Sequence, residues 1–126
     1  MPGRRETEIQ RLCFLVGIPI PSQDRDGCAL KKSEVEKWTA RTSQTLTDCF
    51  GGATPLPAPS TNRVGTRVIF EKGQVLVLSA CKNRNEYLSK QLVIGRLAQD
   101  MKESLNQYAV IVLAFPSDSF LVVDKG

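Results

Sequence analysis

The sequence predicts an α+β domain whose elements follow in the order β-α-β-β-α-β. Three observations carry this. Residues 11–20, 66–71, 75–81 and 108–115 are short runs rich in branched and aliphatic side chains, as strands require. Residues 33–49 and 83–105 carry apolar positions every three or four residues, the repeat of a helix with one buried side. No apolar run reaches the ~20 residues that a membrane-crossing helix needs, and 126 residues with 41% hydrophobic and 24% charged content suit one globular domain. The chain therefore reads as a single domain over 1–126, cytoplasmic, with polar residues 1–10 flexible at its start.

Residues 11–20 (R-L-C-F-L-V-G-I-P-I) form an apolar run that suits a strand buried on both faces, which residues 7–10 can extend. Pro19 and Pro21 end it, because proline cannot donate to a ladder. A polar loop follows to Ala29. Ser33-Glu34-Val35-Glu36 has the spacing of a capping box, and Val35, Trp38, Thr42, Leu46 and Cys49 form one stripe behind it, with Trp38 as a core anchor. Gly51-Gly52 stops that helix, since glycine takes the left-handed conformation freely.

Pro55, Pro57 and Pro59 make residues 53–65 a stiff, extended strap. The runs at 66–71 and 75–81 flank Lys72-Gly73, which predicts a tight hairpin between them. In the second helix Asn83 is the expected N-cap, with Glu86 three residues on. Leu88, Leu92, Gly95, Ala98, Met101 and Leu105 are the expected buried face, widened by Val93, Ile94 and Leu97. An inward Gly95 implies close approach to the sheet or to another subunit. Asn106 can take a left-handed turn out of the helix. After the strand at 108–115, Pro116-Ser117-Asp118-Ser119 has the composition of a type I turn, with an extra C-terminal strand at 120–123.

Such an order matches a ferredoxin-like split βαβ arrangement: an antiparallel sheet with two helices on one face and the extra strand at its end. Both faces of the predicted sheet are apolar, and the helices shield only one. The other calls for a partner, which predicts a homo-oligomer, a dimer or trimer.

Cysteine and charge exclude several classes. Cys13, Cys28, Cys49 and Cys81 show no C-x-x-C spacing and there is no histidine, so neither a metal site nor a cofactor is expected. Cys13, Cys49 and Cys81 sit in apolar patterns and read as small hydrophobes, leaving Cys28 as the exposed thiol. The net charge of +4 is mild and scattered, permitting an anionic partner without requiring one. RNA recognition on such a sheet needs aromatics on its open face. Residues 75–81 have none, so nucleic acid is disfavoured as a partner.

Phe50-Gly51-Gly52-Ala53-Thr54, the apolar hairpin and Leu105-Asn106-Gln107-Tyr108-Ala109-Val110 together resemble small ferredoxin-like proteins of bacteria, phages and mobile elements. In those, F-G-G-A-T and L-N-Q-x-x-V segments recur. The likeness spans residues 46–115. Val64-Gly65-Thr66-Arg67 lacks the tryptophan of those relatives, and Gln74 stands where they carry an acid. The predicted topology is also similar to that of phage S-adenosylmethionine lyases and of signalling trimers of the nitrogen-regulatory type. That likeness implies a nucleotide-type ligand held between subunits.

Candidate site residues follow from chemistry. Gly51, Gly52 and Thr54 can cradle a phosphate through backbone amides and a hydroxyl, or simply cap the helix and turn. Arg67, with Lys82 and Arg84, can form an anion-binding rim. The amide pair Asn106-Gln107 can bond a base or a peptide, or close its own turn. Glu71 is the one carboxylate on the hairpin and the catalytic candidate if the protein is an enzyme. The reading reached is an oligomeric, non-catalytic protein of a phage or mobile element that binds a small anionic or nucleotide-like ligand or a protein partner. The alternatives are a small enzyme acting on a nucleotide or S-adenosylmethionine-like substrate, and an RNA-binding module.

Overall fold

The computed structural model describes residues 6–124; the expectation for residues 1–5 lies outside them. Among the described residues the chain is an α+β fold of three helices and two antiparallel sheets. Its elements are β1 (Thr7–Ile20), α1 (Lys32–Phe50), β2 (Thr54–Pro57), β3 (Ser60–Val64), β4 (Arg67–Glu71), β5 (Val75–Cys81), α2 (Arg84–Ser89), α3 (Gln91–Ser104) and β6 (Leu113–Asp124). The main sheet has the order β2-β5-β1-β6, and β3 and β4 form a separate two-stranded ribbon.

The core follows from alternation along the two central strands. Phe14, Val16, Ile18 and Ile20 of β1, with Val77 and Cys81 of β5, turn to one face. There they meet Trp38 and Leu46 of α1, Ile94, Leu97 and Met101 of α3, and Leu105 just beyond it. The opposite face is apolar as well. At its centre Gly17 leaves space that the Leu76 and Leu78 side chains cover; a Cβ there would lie 3.3 and 3.2 Å from them. Leu56 and Phe115 at its margins stay about two-fifths exposed, at 40% and 42%.

The expected hairpin between residues 66–71 and 75–81 does not form. β5 pairs with β1 on one side and β2 on the other, so β4 has no free edge to join. β4 pairs instead with β3 in the register Val64↔Arg67 to Ser60↔Glu71. The tight turn is Gly65-Thr66, where Gly65 has φ 64°, a conformation open to glycine at the first central position of a two-residue hairpin. The proline-rich strap thus contains two strands. The Ala58 amide donates to the Gln74 carbonyl at 2.9 Å. Continuing that ladder, Leu56 and Thr54 address β5, while Pro55 and Pro57 turn outward, where a missing N–H costs nothing.

Three further expectations are corrected. No extra C-terminal strand returns on itself: Leu113–Asp124 is one edge strand paired with β1 along its length. Its register shifts between Leu12 and Phe14, and that bulge absorbs the Pro-Ser-Asp-Ser stretch as a kink instead of a turn. Residues 108–112 precede this strand. The second helix breaks at Lys90 into α2 and α3, which rotates the buried stripe onto Ile94, Leu97 and Met101. Leu88 and Leu92 are exposed, and a Cβ on Gly95 would meet nothing within 4 Å. Finally, α1 begins after Lys31 with no side-chain cap, so the Ser33 box is not formed. Asn83 does cap α2, accepting the Glu86 amide at 2.9 Å, and Gly51 takes the left-handed position, φ 96°.

Candidate functional site

The loop between β1 and α1 organises the site. Asp24 closes it as an Asx turn, its carboxylate accepting the amides of Asp26 and Cys28, both at 2.9 Å. Gly27 takes φ 83° and lies against the Arg67 guanidinium; a Cβ there would stand 2.7 Å from Arg67 Nη2. The exit of α3 grips the same loop. Asn106, at φ 50°, accepts the Arg25 amide at 2.8 Å, and its side-chain amide donates to Asp26 Oδ2 at 3.2 Å. Gln107 donates through Nε2 to the Gln23 carbonyl at 2.7 Å.

A third element closes on this loop. Gln23 Nε2 donates to the Phe70 carbonyl at 3.4 Å, and the backbone amides of Gln23 and Ser22 lie near enough to the Glu71 carboxylate to favour its charged form. Between the loop, the β3–β4 ribbon and residues 107–111 lies a cavity of about 370 Å³. Pro19, Gln23, Asp24, Arg25, Asn62, Arg63, Glu71, Gln107 and Tyr108 are among the residues that line it. Glu71 is its most buried polar group, 6% exposed, with Asn62 Nδ2 donating to Oε2 at 3.3 Å. Burial pushes its carboxyl above the ordinary 4.5, and the pull of the Gln23 and Ser22 amides offsets this only in part. At the mouth, the Arg25 guanidinium lies over the Tyr108 ring, 3.6 Å from its centroid. The charges balance: Asp24 and Glu71 against Arg25 and Arg63.

The structure brings Glu71, Arg67, Asn106 and Gln107 onto one loop, Glu71 and Gln107 lining the cavity itself. Gly51, Gly52 and Thr54 lie elsewhere. The Gly51 amide donates to the Thr47 carbonyl at 2.7 Å as a helix cap. The Gly52 carbonyl accepts the Ser79 hydroxyl at 2.5 Å, and Thr54 pairs with Leu78 in β2. All three line a second, more apolar cleft of about 780 Å³, at the far end of β5 from Val75 and the first cavity. The seven residues therefore do not form one site.

Arg25, Asn62 and Arg63 are site residues that sequence reasoning missed. The Asp24-Arg25-Asp26-Gly27 turn signal marked the loop; nothing local marked Asn62 or Arg63. No group of metal-ligating side chains occurs among the described residues, and no helix there is long and apolar enough to cross a membrane. Cys28 is exposed, as expected, but so is Cys13; Cys49 is half-buried and Cys81 buried.

No protein-family model matches the chain, and no curated protein matches its sequence. Solved structures do resemble it. A phage SAM lyase in complex with S-methyl-5′-thioadenosine aligns with a TM-score of 0.58 at 11% identity, covering 90% of each chain. The phage SAM lyase in its apo state gives 0.59 at 12%, covering 89% of each. CutA from the phytopathogenic bacterium Xylella fastidiosa gives 0.50 at 13%, covering 87% of this chain and 88% of its own. At such identities the likeness is one of fold, and the chain belongs with these proteins in architecture: an α+β domain built on an antiparallel sheet.

Proposed function

We infer that this chain is a ferredoxin-like binding domain with the β3–β4 ribbon inserted, and that its Glu71 cavity takes a small nucleoside-like ligand without transforming it. The observation that carries this is a carboxylate only 6% exposed facing a cavity, with no ion pair to a cation among the described residues. Asn62 and the Gln23 and Ser22 amides supply donors but no cation does among the described residues, and the buried carboxylate keeps a cost that ribose hydroxyls or a cationic centre in the cavity offset. An isolated anion does not, which replaces the expected anionic ligand with a neutral or zwitterionic one. The cavity's size lies at the small end of ligand pockets, and the fold shared with a protein that holds S-methyl-5′-thioadenosine supports that compound as the first probe.

Calorimetric titration with S-methyl-5′-thioadenosine and S-adenosylmethionine tests this. Saturable binding that Glu71→Gln weakens by about tenfold or more, ~1.4 kcal/mol, supports the reading. Wild-type protein that takes up neither compound at millimolar concentration removes it.

One observation favours a second, catalytic reading. Burial that pushes Glu71 toward its protonated form suits a proton-transfer group, and the lyase neighbours share the fold. Turnover of S-adenosylmethionine that is lost in Glu71→Gln would replace binding with catalysis. Self-association belongs to both readings. Leu56 and Phe115 on the uncovered sheet face, and Ile9, Phe120 and Val122 on the β1–β6 ends, are apolar and exposed. A sedimentation experiment giving only monomer would oppose it.

A further inference from the structure

We propose that Arg25 and Tyr108 form a clamp for the heteroaromatic base of the ligand, with the Arg25 side chain as the part that moves. The proposal rests on the reading of the Glu71 cavity and adds what recognises the base. Both backbones are fixed: the Arg25 amide is bonded to the Asn106 carbonyl at 2.8 Å, and Tyr108 follows Gln107, which is tied to Gln23 at 2.7 Å. Their side chains are not. Tyr108 is 62% exposed, and among the described residues the guanidinium stacks on that ring with no carboxylate or amide partner.

A guanidinium 3.6 Å from the ring centroid fills the space that a stacked base would take. An arriving base therefore displaces Arg25 from the Tyr108 face, and the guanidinium closes over the base's outer side. The base then lies between two flat groups, one aromatic and one cationic, that attract π-faces. The ring stands at the rim of the cavity that holds Glu71, so a base on Tyr108 directs its ribose inward toward that carboxylate. Asn62 spends its side-chain donors on Ser60 and Glu71, and Gln107 on Gln23 and Leu105. Stacking then makes the site demand a base while tolerating which base it is.

The test compares S-methyl-5′-thioadenosine with methylthioribose, which lacks the base, by titration against the full chain and its Tyr108→Phe, Tyr108→Ala, Arg25→Ala and Glu71→Gln variants. Tyr108→Ala should weaken the nucleoside by about ten- to hundredfold and leave methylthioribose unchanged. Tyr108→Phe should keep nucleoside affinity within about threefold, because the ring and not the hydroxyl does the stacking. Arg25→Ala should fall between. If Tyr108→Ala binds the nucleoside like wild type while Glu71→Gln does not, the clamp is wrong and the cavity reading stands. If wild-type protein binds neither compound, both fall.

Discussion

The backbone carbonyl of Asn106 accepts the Arg25 amide at 2.8 Å, so the end of α3 is what holds the loop beside the cavity. Asn106 meets this geometry by standing at φ 50°, where asparagine and glycine are tolerated and β-branched residues are strained. Asn106→Gly should therefore change stability little, losing only the bond to Asp26. Asn106→Val should cost about 2 kcal/mol. Urea unfolding of the two variants checks the ordering, and equal losses would mean that the backbone conformation is not what the position demands.

Glu71 makes stability depend on pH with an unusual sign for a carboxylate. Its folded value is raised above the ordinary 4.5, burial being the larger cause. The protonated form is thus favoured by folding. That contribution is fully present below the unfolded value and is lost as pH rises through the folded one. Compared with Glu71→Gln, wild-type protein should lose unfolding temperature as pH rises from below the ordinary carboxylate value through the raised folded one. A difference that stays flat, or grows in wild type's favour, would place the carboxylate in a solvated or cation-paired setting.

Thr42 is fully buried on α1, and among the described residues its hydroxyl has no hydrogen-bond partner. An unsatisfied buried hydroxyl costs about 1–3 kcal/mol, and valine has nearly the same shape. Thr42→Val should raise stability by about 1 kcal/mol, measured by urea unfolding. A loss would reveal a partner for that oxygen.

The four thiols should separate by reactivity. Cys13 and Cys28 are exposed and should react with an aromatic disulfide reagent in the native protein. Cys49 is half-buried, and burial and the neighbouring Asp48 raise its thiol against the pull of Lys90, so it should lag. Cys81 is buried, with burial and Glu86 raising its thiol; it should react only on unfolding. Rapid labelling of Cys81 would show that α2 opens readily.

Elements with one strong pattern were legible in the sequence. The apolar run of β1, the stripe from Trp38 to Leu46 and the β5 run each had a single reading. Pairing was less so, because partners are chosen by free edges and not by proximity along the chain. Nothing in Val75 to Cys81 says that β1 and β2 occupy both its sides. Pro55, Pro57 and Pro116 masked strands because proline is excluded from ladders only where its nitrogen faces a neighbour. The helix stripe failed at one residue: the break at Lys90 shifts the phase, so Leu88 and Leu92 fall outside and Ile94 inside. For the site, Glu71, Arg67, Asn106 and Gln107 stood out as polar groups beside apolar runs, and these converge on one loop. Gly51, Gly52 and Thr54 did so equally, yet the antiparallel sheet carries them to the opposite end of β5.

Co-crystallisation with S-methyl-5′-thioadenosine tests the central claim most directly. The account predicts the nucleoside in the cavity of about 370 Å³, its ribose hydroxyls within hydrogen-bonding distance of the Glu71 carboxylate. Nucleoside seated instead in the cleft of Gly51, Gly52 and Thr54, with the Glu71 cavity empty, would contradict it.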